Sequence, residues 1–268
     1  VYTNVTEHVK IGDAPADFQR LAPSFTVSLQ PWQEQLLFLR LMYKSTFRMP
    51  TFNDLYYYRL GNRSLRPEKA NEYNMGITWS RSFSSFLNYL SVTVDGYYND
   101  VTDKIVAFPT TYAWKMANYG KVHVTGMDAT LAAAASLGKN MVLVVSGGYT
   151  WQKAIDLTDA TSKSYKDQLP YTPKHSGNVS AVLEMPWVNV GYSIVGVSER
   201  YSMSQNIPEN RIDGYMEHTV SLSRNFSFRH CKLRLQAEII NLTDTQYDVI
   251  KYYPMPGRSW RLTGTIEF

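Results

Sequence analysis

Between residues 48 and 59 the chain gathers groups that bind rings and anions without making or breaking bonds. Arg48 is followed by Tyr56, Tyr57, Tyr58 and Arg59, and Tyr112, Trp114 and Lys115 repeat the theme farther on. Phenols and indoles stack on planar groups, and a guanidinium fork takes two anionic oxygens at once. Such a set can embrace an aromatic or anionic chelate. It can equally anchor a loop at a membrane interface, where amphipathic rings collect. Reactive chemistry has fewer candidates. The five histidines, His8, His123, His175, His218 and His230, show no paired spacing that suggests a metal site. The single Cys231 allows no internal disulfide and no thiolate cluster. No glycine-rich phosphate loop and no nucleophile elbow occurs.

The elements that must position these residues are written most clearly at the end of the chain. Trp260, Leu262, Gly264, Ile266 and Phe268 fall on one face of a strand, with Ser259, Arg261, Thr263, Thr265 and Glu267 on the other. Period-2 alternation of this length spans a bilayer as a tilted strand. The pattern recurs. Lys232, Arg234, Gln236 and Glu238 alternate with Leu233, Leu235, Ala237 and Ile239, and Ser91, Thr93, Asp95 and Tyr97 with Leu90, Val92, Val94 and Gly96. A charged row on a buried sandwich face would need a partner for every charge, about 2–7 kcal/mol per unpaired polar group. In a wet lumen it needs none. On that reading Leu233, Leu235 and Ile239 face lipid, and Arg234, Gln236 and Glu238 face inward.

Composition agrees. A chain of 268 residues with 44% hydrophobic residues and 14% aromatics is not disordered. Its mean hydropathy of -0.30 and the lack of a long uncharged apolar run exclude a transmembrane helix. A β-barrel fits both facts, because its lipid face takes only every second residue. Twenty tyrosines and six tryptophans suit interfacial girdles and external loops. The net charge of +4 comes without a basic block, so nucleic acid is not indicated. The chain opens on Val1 with no signal peptide, which points to a removed signal or to a piece of a longer protein.

About eleven strands are expected, at 22–30, 36–46, 70–80, 86–99, 121–134, 141–152, 174–184, 188–198, 213–223, 231–242 and 257–268. Short turns at 31–35, 81–85, 138–140, 185–187 and 225–230 alternate with long loops at 47–69, 100–120, 153–173, 199–212 and 243–256. That asymmetry belongs to outer-membrane barrels, with tight turns on the periplasmic side and long loops outside. The run of alanines after Leu131 has helix propensity, but the alternation from Val124 makes it the end of a strand. Asp95, Asp128 and His218 could be drawn into a catalytic triad. Polar residues on a lumen wall are the plainer reading.

Two segments carry a resemblance. The stretch from Phe47 to Tyr56 (Phe-Arg-Met-Pro-Thr-Phe-Asn-Asp-Leu-Tyr) leads into Gly61-Asn62-Arg63-Ser64-Leu65-Arg66-Pro67-Glu68. It resembles the mid-barrel external loop of TonB-dependent outer-membrane receptors. Near the end, Asn241-Leu242-Thr243-Asp244, Tyr247 and the run Tyr253 to Arg258 before the last strand resemble their C-terminal signature, in the style of receptors from Bacteroides-like bacteria.

The resemblance implies an all-β chain, a transmembrane antiparallel barrel of about 11 strands forming the C-terminal half of a barrel of roughly 22. Residues 1–268 would then all be barrel, with the plug domain, the TonB box and the N-terminal strands lying outside them. It implies an outer-membrane importer of a metal chelate such as cobalamin or a ferric siderophore. The importer would work with the TonB complex and could have a surface-exposed lipoprotein partner, with no enzymatic activity and no cofactor. Haem receptors of the family typically carry a histidine in the loop where Tyr56, Tyr57, Tyr58 and Arg59 stand, which argues against haem. The candidate ligand contacts are Arg48, Tyr56, Tyr57, Tyr58, Arg59, Tyr112 and Trp114. A self-closed outer-membrane pore or adhesin, or an outer-membrane hydrolase, is the alternative.

Overall fold

The computed structural model describes residues 2–5, 18–32, 36–84, 86–109, 113–138 and 140–268. Strands β1 (Tyr2–Val5) and β2 (Phe18–Leu21) pair with each other. The main sheet begins with β3 (Ser24–Leu29), β4 (Leu36–Arg48), β5 (Glu68–Ser82), β6 (Leu87–Pro109), β7 (Trp114–Ser136) and β8 (Val142–Asp156). It continues with β9 (His175–Glu184) and β10 (Asn189–Val197), then β13 (Tyr215–Ser227), β14 (Lys232–Ile240) and β17 (Ser259–Glu267). The long connections hold small pieces: helix α1 (Phe52–Tyr56), the ribbon of β11 (Arg200–Tyr201) with β12 (Arg211–Ile212), and that of β15 (Asp248–Ile250) with β16 (Tyr253–Pro254). No helix among the described residues is long and apolar enough to cross a membrane.

The eleven strands of the sheet are antiparallel and, within it, follow sequence order from β3 to β17. Register fixes the two faces. Arg40, Gly76, Asp95, Asp128 and Thr150 form one cross-strand line. Ser193, Thr219, Ser221, Glu238 and Arg261 stand on the same face farther along. Much of this face pairs with itself. Arg40 Nη2 donates to Asp95 Oδ1 at 2.9 Å, and Asp128 Oδ1 accepts from Thr150 at 2.6 Å. Thr78 meets Thr93 at 3.0 Å and Ser80 meets Ser91 at 2.7 Å. Two glycines make longer reaches possible. A Cβ on Gly76 would stand 1.9 Å from Asp95 Oδ1, and one on Gly126 would stand 2.3 Å from the Tyr97 ring. Without side chains there, Arg40 reaches over to Asp95, and Tyr97 reaches Gln152 at 3.1 Å.

The opposite face is dry. Val27, Leu41, Met75, Gly96 and Met127 run across it in register, as do Leu39, Ile77, Val94 and Ala129. Many of these large apolar residues are exposed, Met75 by 66% and Leu262 by 80%, which suits a surface whose solvent is hydrocarbon. Tyrosines border this band toward the long-loop end: Tyr43, Tyr73 and Tyr98 are cross-strand neighbours, with ring centroids 5.1 and 6.2 Å apart. Trp79, Phe226 and Phe268 lie toward the short turns. Leu233, Leu235 and Ile239 fall on the dry face, and Arg234, Gln236 and Glu238 on the polar one, as the alternation requires.

Two expectations change. The strands expected at 86–99 and 121–134 run on to Pro109 and back to Trp114, so most of the loop expected at 100–120 is a hairpin extending past the sheet. Their partners explain it: the added length pairs from Thr102 with Lys121 to Pro109 with Trp114. Asp95 and Asp128 line the polar face as expected, but His218 lies on the opposite, lipid-facing side and not on the lumen wall, which also leaves no triad of the three. The alanine run from Ala132 to Ala135 is strand, paired to both β6 and β8.

Val94→Arg places a cation on the lipid face and should destabilise the barrel by about 2–4 kcal/mol, whereas Thr93→Arg on the polar face should lose under about 1 kcal/mol. A folding titration in lipid vesicles measures both, and the opposite ranking would reverse the assignment of faces.

Candidate ligand-binding site

At the long-loop end the polar face turns apolar. Ala70, Val101, Val122, Val124 and Ala154 pack together there, and Leu169 from the loop after β8 closes over them with Tyr97 and Tyr119 at the margin. The extended β6–β7 hairpin carries a second cluster, in which Ile105 and Met116 meet Leu55 and Leu65 of the loop after β4. The hairpin is therefore a post with one loop packed through each cluster.

The first loop is tied by polar contacts that begin at Arg48. Its Nη1 is 3.2 Å from Asp54, its Nε is 3.5 Å from Glu68, and Nη2 donates to the Ile105 carbonyl at 3.3 Å. Thr51 caps helix α1 by accepting from the Asp54 N–H, and Asp54 accepts in return from the Thr51 N–H. Asn62 donates to the Met116 carbonyl and Arg66 pairs with Asp103, both on the hairpin. Tyr56 packs on Phe52, with the Arg63 guanidinium 5.2 Å from its ring centre.

The hairpin and three further segments converge on a cleft of about 470 Å³. Lys104 and Val106 come from β6, and Trp114 and Tyr119 from β7. Leu169, Pro170 and Tyr171 come from the loop after β8, Arg200 from β11, and Val249 and Ile250 from β15. The loops hold each other in place. Tyr119 shares a hydrogen bond with Ser204 at 2.7 Å, Asn206 N–H donates to Asp167 at 2.9 Å, and Tyr171 N–H donates to the Tyr201 carbonyl at 2.7 Å. Trp114 and Tyr171 form one wall, with ring centroids 5.7 Å apart.

The charge in this cleft is Arg200, which is only 4% exposed. Its Nη2 donates to the carbonyls of Asp248 and Val249, at 2.6 and 3.1 Å, and its guanidinium lies 5.7 Å from the Tyr215 ring centre. Nη1 has no hydrogen-bond partner among the described residues. A buried guanidinium N–H left unpaired is costly, and an anionic oxygen would satisfy it. Lys104 adds a second cation on the rim, 3.8 Å from Glu68. Burial raises the Tyr171 phenol above its ordinary pKa, while a backbone hydrogen bond from Lys251 and the charge of Arg200 pull it the other way. Tyr171 is thus a neutral wall at physiological pH. The arrangement can hold a ring-bearing anion, and it sets no nucleophile beside a base.

The residues singled out from the sequence divide. Trp114 lines the cleft. Arg48 and Tyr56 hold their loop to the hairpin, while Tyr57, Tyr58 and Arg59 stand on that loop's exposed surface, with Arg59 over the Tyr58 ring. Tyr112 lies outside the described residues. Lys104, Tyr119, Tyr171 and Arg200 had no local signal: each is a single polar or aromatic residue in a long connection or a strand extension, brought to the cleft by packing.

Residues 2–242 match the family model described as TonB dependent receptor-like, beta-barrel. The chain belongs to the TonB-dependent receptors. It is therefore an outer-membrane β-barrel chain of a Gram-negative bacterium, from a family of receptors and transporters that are not enzymes. It is 26% identical over 230 residues to the vitamin B12 transporter BtuB of Photobacterium profundum, covering 83% of this chain and 34% of that one. It is 26% identical over 231 residues to the BtuB of Vibrio vulnificus, covering 83% of this chain and 33% of the relative. The receptor chain thus spans about a third of the length of these curated relatives. Its fold is that of the ferric citrate transporter FecA (TM-score 0.72, 15% identity, 92% of this chain and 38% of that one). The ferric-catecholate import receptor Fiu of E. coli K12 has it too (TM-score 0.67, 20% identity, 92% and 35%).

Arg48→Ala should free the first loop by about 1 kcal/mol, since its pairs are partly exposed, and raise limited proteolysis within residues 49–67 about fivefold. Tyr58→Ala should leave that rate unchanged. Equal rates for wild type and Arg48→Ala would remove Arg48 from the anchoring role.

Proposed function

We propose that this chain is the C-terminal barrel portion of a receptor that imports a metal chelate, such as cobalamin or a ferric siderophore, across the outer membrane. In this reading the plug, the TonB box and the remaining strands lie outside residues 1–268, and the TonB complex supplies the energy for transport. A surface-exposed lipoprotein is a further candidate partner at the long-loop end. The cleft between the external segments is the ligand contact, and the observation that carries the proposal is Arg200. It lines the cleft with Trp114 and Tyr171 and keeps an unpaired, buried Nη1, a set that suits an anionic or amide-bearing chelate with a flat face. Relatives named as vitamin B12 transporters support the substrate class.

The test uses the full-length receptor and measures affinity for cobalamin, ferric siderophores and haem. Trp114→Ala should weaken binding of the imported chelate by about 1–3 kcal/mol. Arg200→Lys should do likewise, because an ammonium cannot hold two loop carbonyls and reach a ligand as a guanidinium fork does. Tyr58→Ala should have a smaller effect. Unchanged affinity in both cleft variants would remove the cleft from the binding site. Tight haem binding would overturn the ranking of chelates, and an open pore in planar bilayers would favour a channel.

A further inference from the structure

The lipid-facing side of the sheet carries a repeated pairing that chelate binding does not use. Tyr98 with His123, Tyr149 with His175, and Tyr192 with His218 each set a phenol against an imidazole on the neighbouring strand. The register is the same each time, although the Tyr98–His123 rings meet edge-on at 67° and the other two pairs lie near parallel at 31° and 29°. The histidine's register partner lies two residues beyond the tyrosine: Asp100, Trp151 and Ile194. The spacing repeats as well. The ladder from Tyr98 runs through Thr125 to Lys153, four residues past Tyr149, and that from Tyr149 runs through Gly177 to Gly196, four past Tyr192.

The hydrogen bonds orient the rings. The phenol oxygen is 2.7 Å from Nδ1 of His175 and 2.8 Å from Nδ1 of His218. A phenol donating to Nδ1 leaves the proton of a neutral imidazole on Nε2, where it can donate again. His123 differs, because its Nε2 stands 3.1 Å from Asp100 Oδ1, close enough for an ion pair though not aligned as a hydrogen bond. At His175 the position two residues past the tyrosine holds Trp151 instead, and no carboxylate among the described residues pairs with the ring.

Beside His175 runs a groove of about 430 Å³. Gly177 and Gly196, which are register partners, form its floor, with Tyr149 and His175 on one side and Val179, Ile194 and Met216 around the rest. The groove lies on the face that meets hydrocarbon, at the level where tyrosines mark the headgroup boundary. Lys153 projects from the same face just past Trp151. A dry trough, an exposed imidazole and a lysine together match the two ends of a phosphorylated lipid.

We propose that this groove binds a phosphorylated lipid of the outer leaflet, with an acyl chain over Gly177 and Gly196 and a phosphate oxygen accepting from His175 Nε2. Lys153 supplies the second charge contact, and Tyr149 fixes the tautomer.

The test is native mass spectrometry of the full-length receptor loaded with diphosphorylated lipid A or with the same lipid dephosphorylated. A Cβ at Gly196 would meet Met216 Cγ at 3.7 Å, ordinary contact, so Gly196→Leu fills the groove without forcing the backbone. His175→Gln and Gly196→Leu should each lower retention of lipid A about tenfold, the equivalent of one charge-assisted bond. His175→Gln should have no further effect on the dephosphorylated lipid, and His123→Gln, whose Nε2 already meets Asp100, should retain lipid A as wild type does. Heat-modifiable migration in detergent checks that every variant is a folded barrel. Wild-type retention in folded Gly196→Leu, equal retention of both lipids by the wild type, or displacement by inorganic phosphate alone would each overturn the assignment.

Discussion

The constraint on which the rest of this structure depends is that hydrocarbon offers no hydrogen bonds. Every backbone N–H and C=O within the bilayer must be satisfied by a neighbouring strand, so a β protein crosses only as an antiparallel sheet with long, continuous ladders. The ladders from β3 to β17 meet this demand, and they also decide where side chains go. With a period of two, mid-membrane charges such as Arg40, Asp95 and Asp128 fall on one face and the lipid contacts on the other. A slip of one residue would exchange them along a whole strand. The Arg40–Asp95 pair and the threonine and serine pairs on the wet face reinforce the register locally.

At the long-loop end the same ladders outgrow the membrane. The β6–β7 hairpin remains paired to Pro109 and Trp114, which gives the loops something rigid to pack on. Two small apolar clusters, one toward residues 55–65 and one toward Leu169, fasten them. A buried asparagine does a similar task elsewhere. Asn241 is fully buried; its side chain donates to the Thr245 and Pro256 carbonyls and accepts from the Thr245 N–H, holding the segment that precedes β17. Preorganised loops of this kind bind a ligand with little ordering left to do.

Both proposed sites rest on this division of labour. The cleft around Arg200 lies where the inner face has left the lumen and been roofed by loops. The groove beside His175 lies on the outer face, where two facing glycines remove the side chains that would fill it. Each places a directed nitrogen donor at the end of an otherwise apolar surface, which is how a site combines affinity with orientation.

Much of the fold was written in the sequence, because a strand that separates lipid from water must show its period in the residues themselves. The alternation of Leu233, Leu235 and Ile239 with Arg234, Gln236 and Glu238, and the rhythm of short and long connections, determined the class, the order of the strands and the face each residue takes. The length of β6 and β7 was not legible, since residues past the membrane no longer alternate against a fixed solvent. The cleft was least legible of all. Trp114 could be chosen as an aromatic in a long connection, but Arg200, Tyr171 and Lys104 are ordinary residues in sequence, joined only when three segments pack against one hairpin. Local pattern records the solvent a residue faces, and the sequence alone determined that. Which distant loops share a neighbour depends on contacts between elements, and only the tertiary structure decided it.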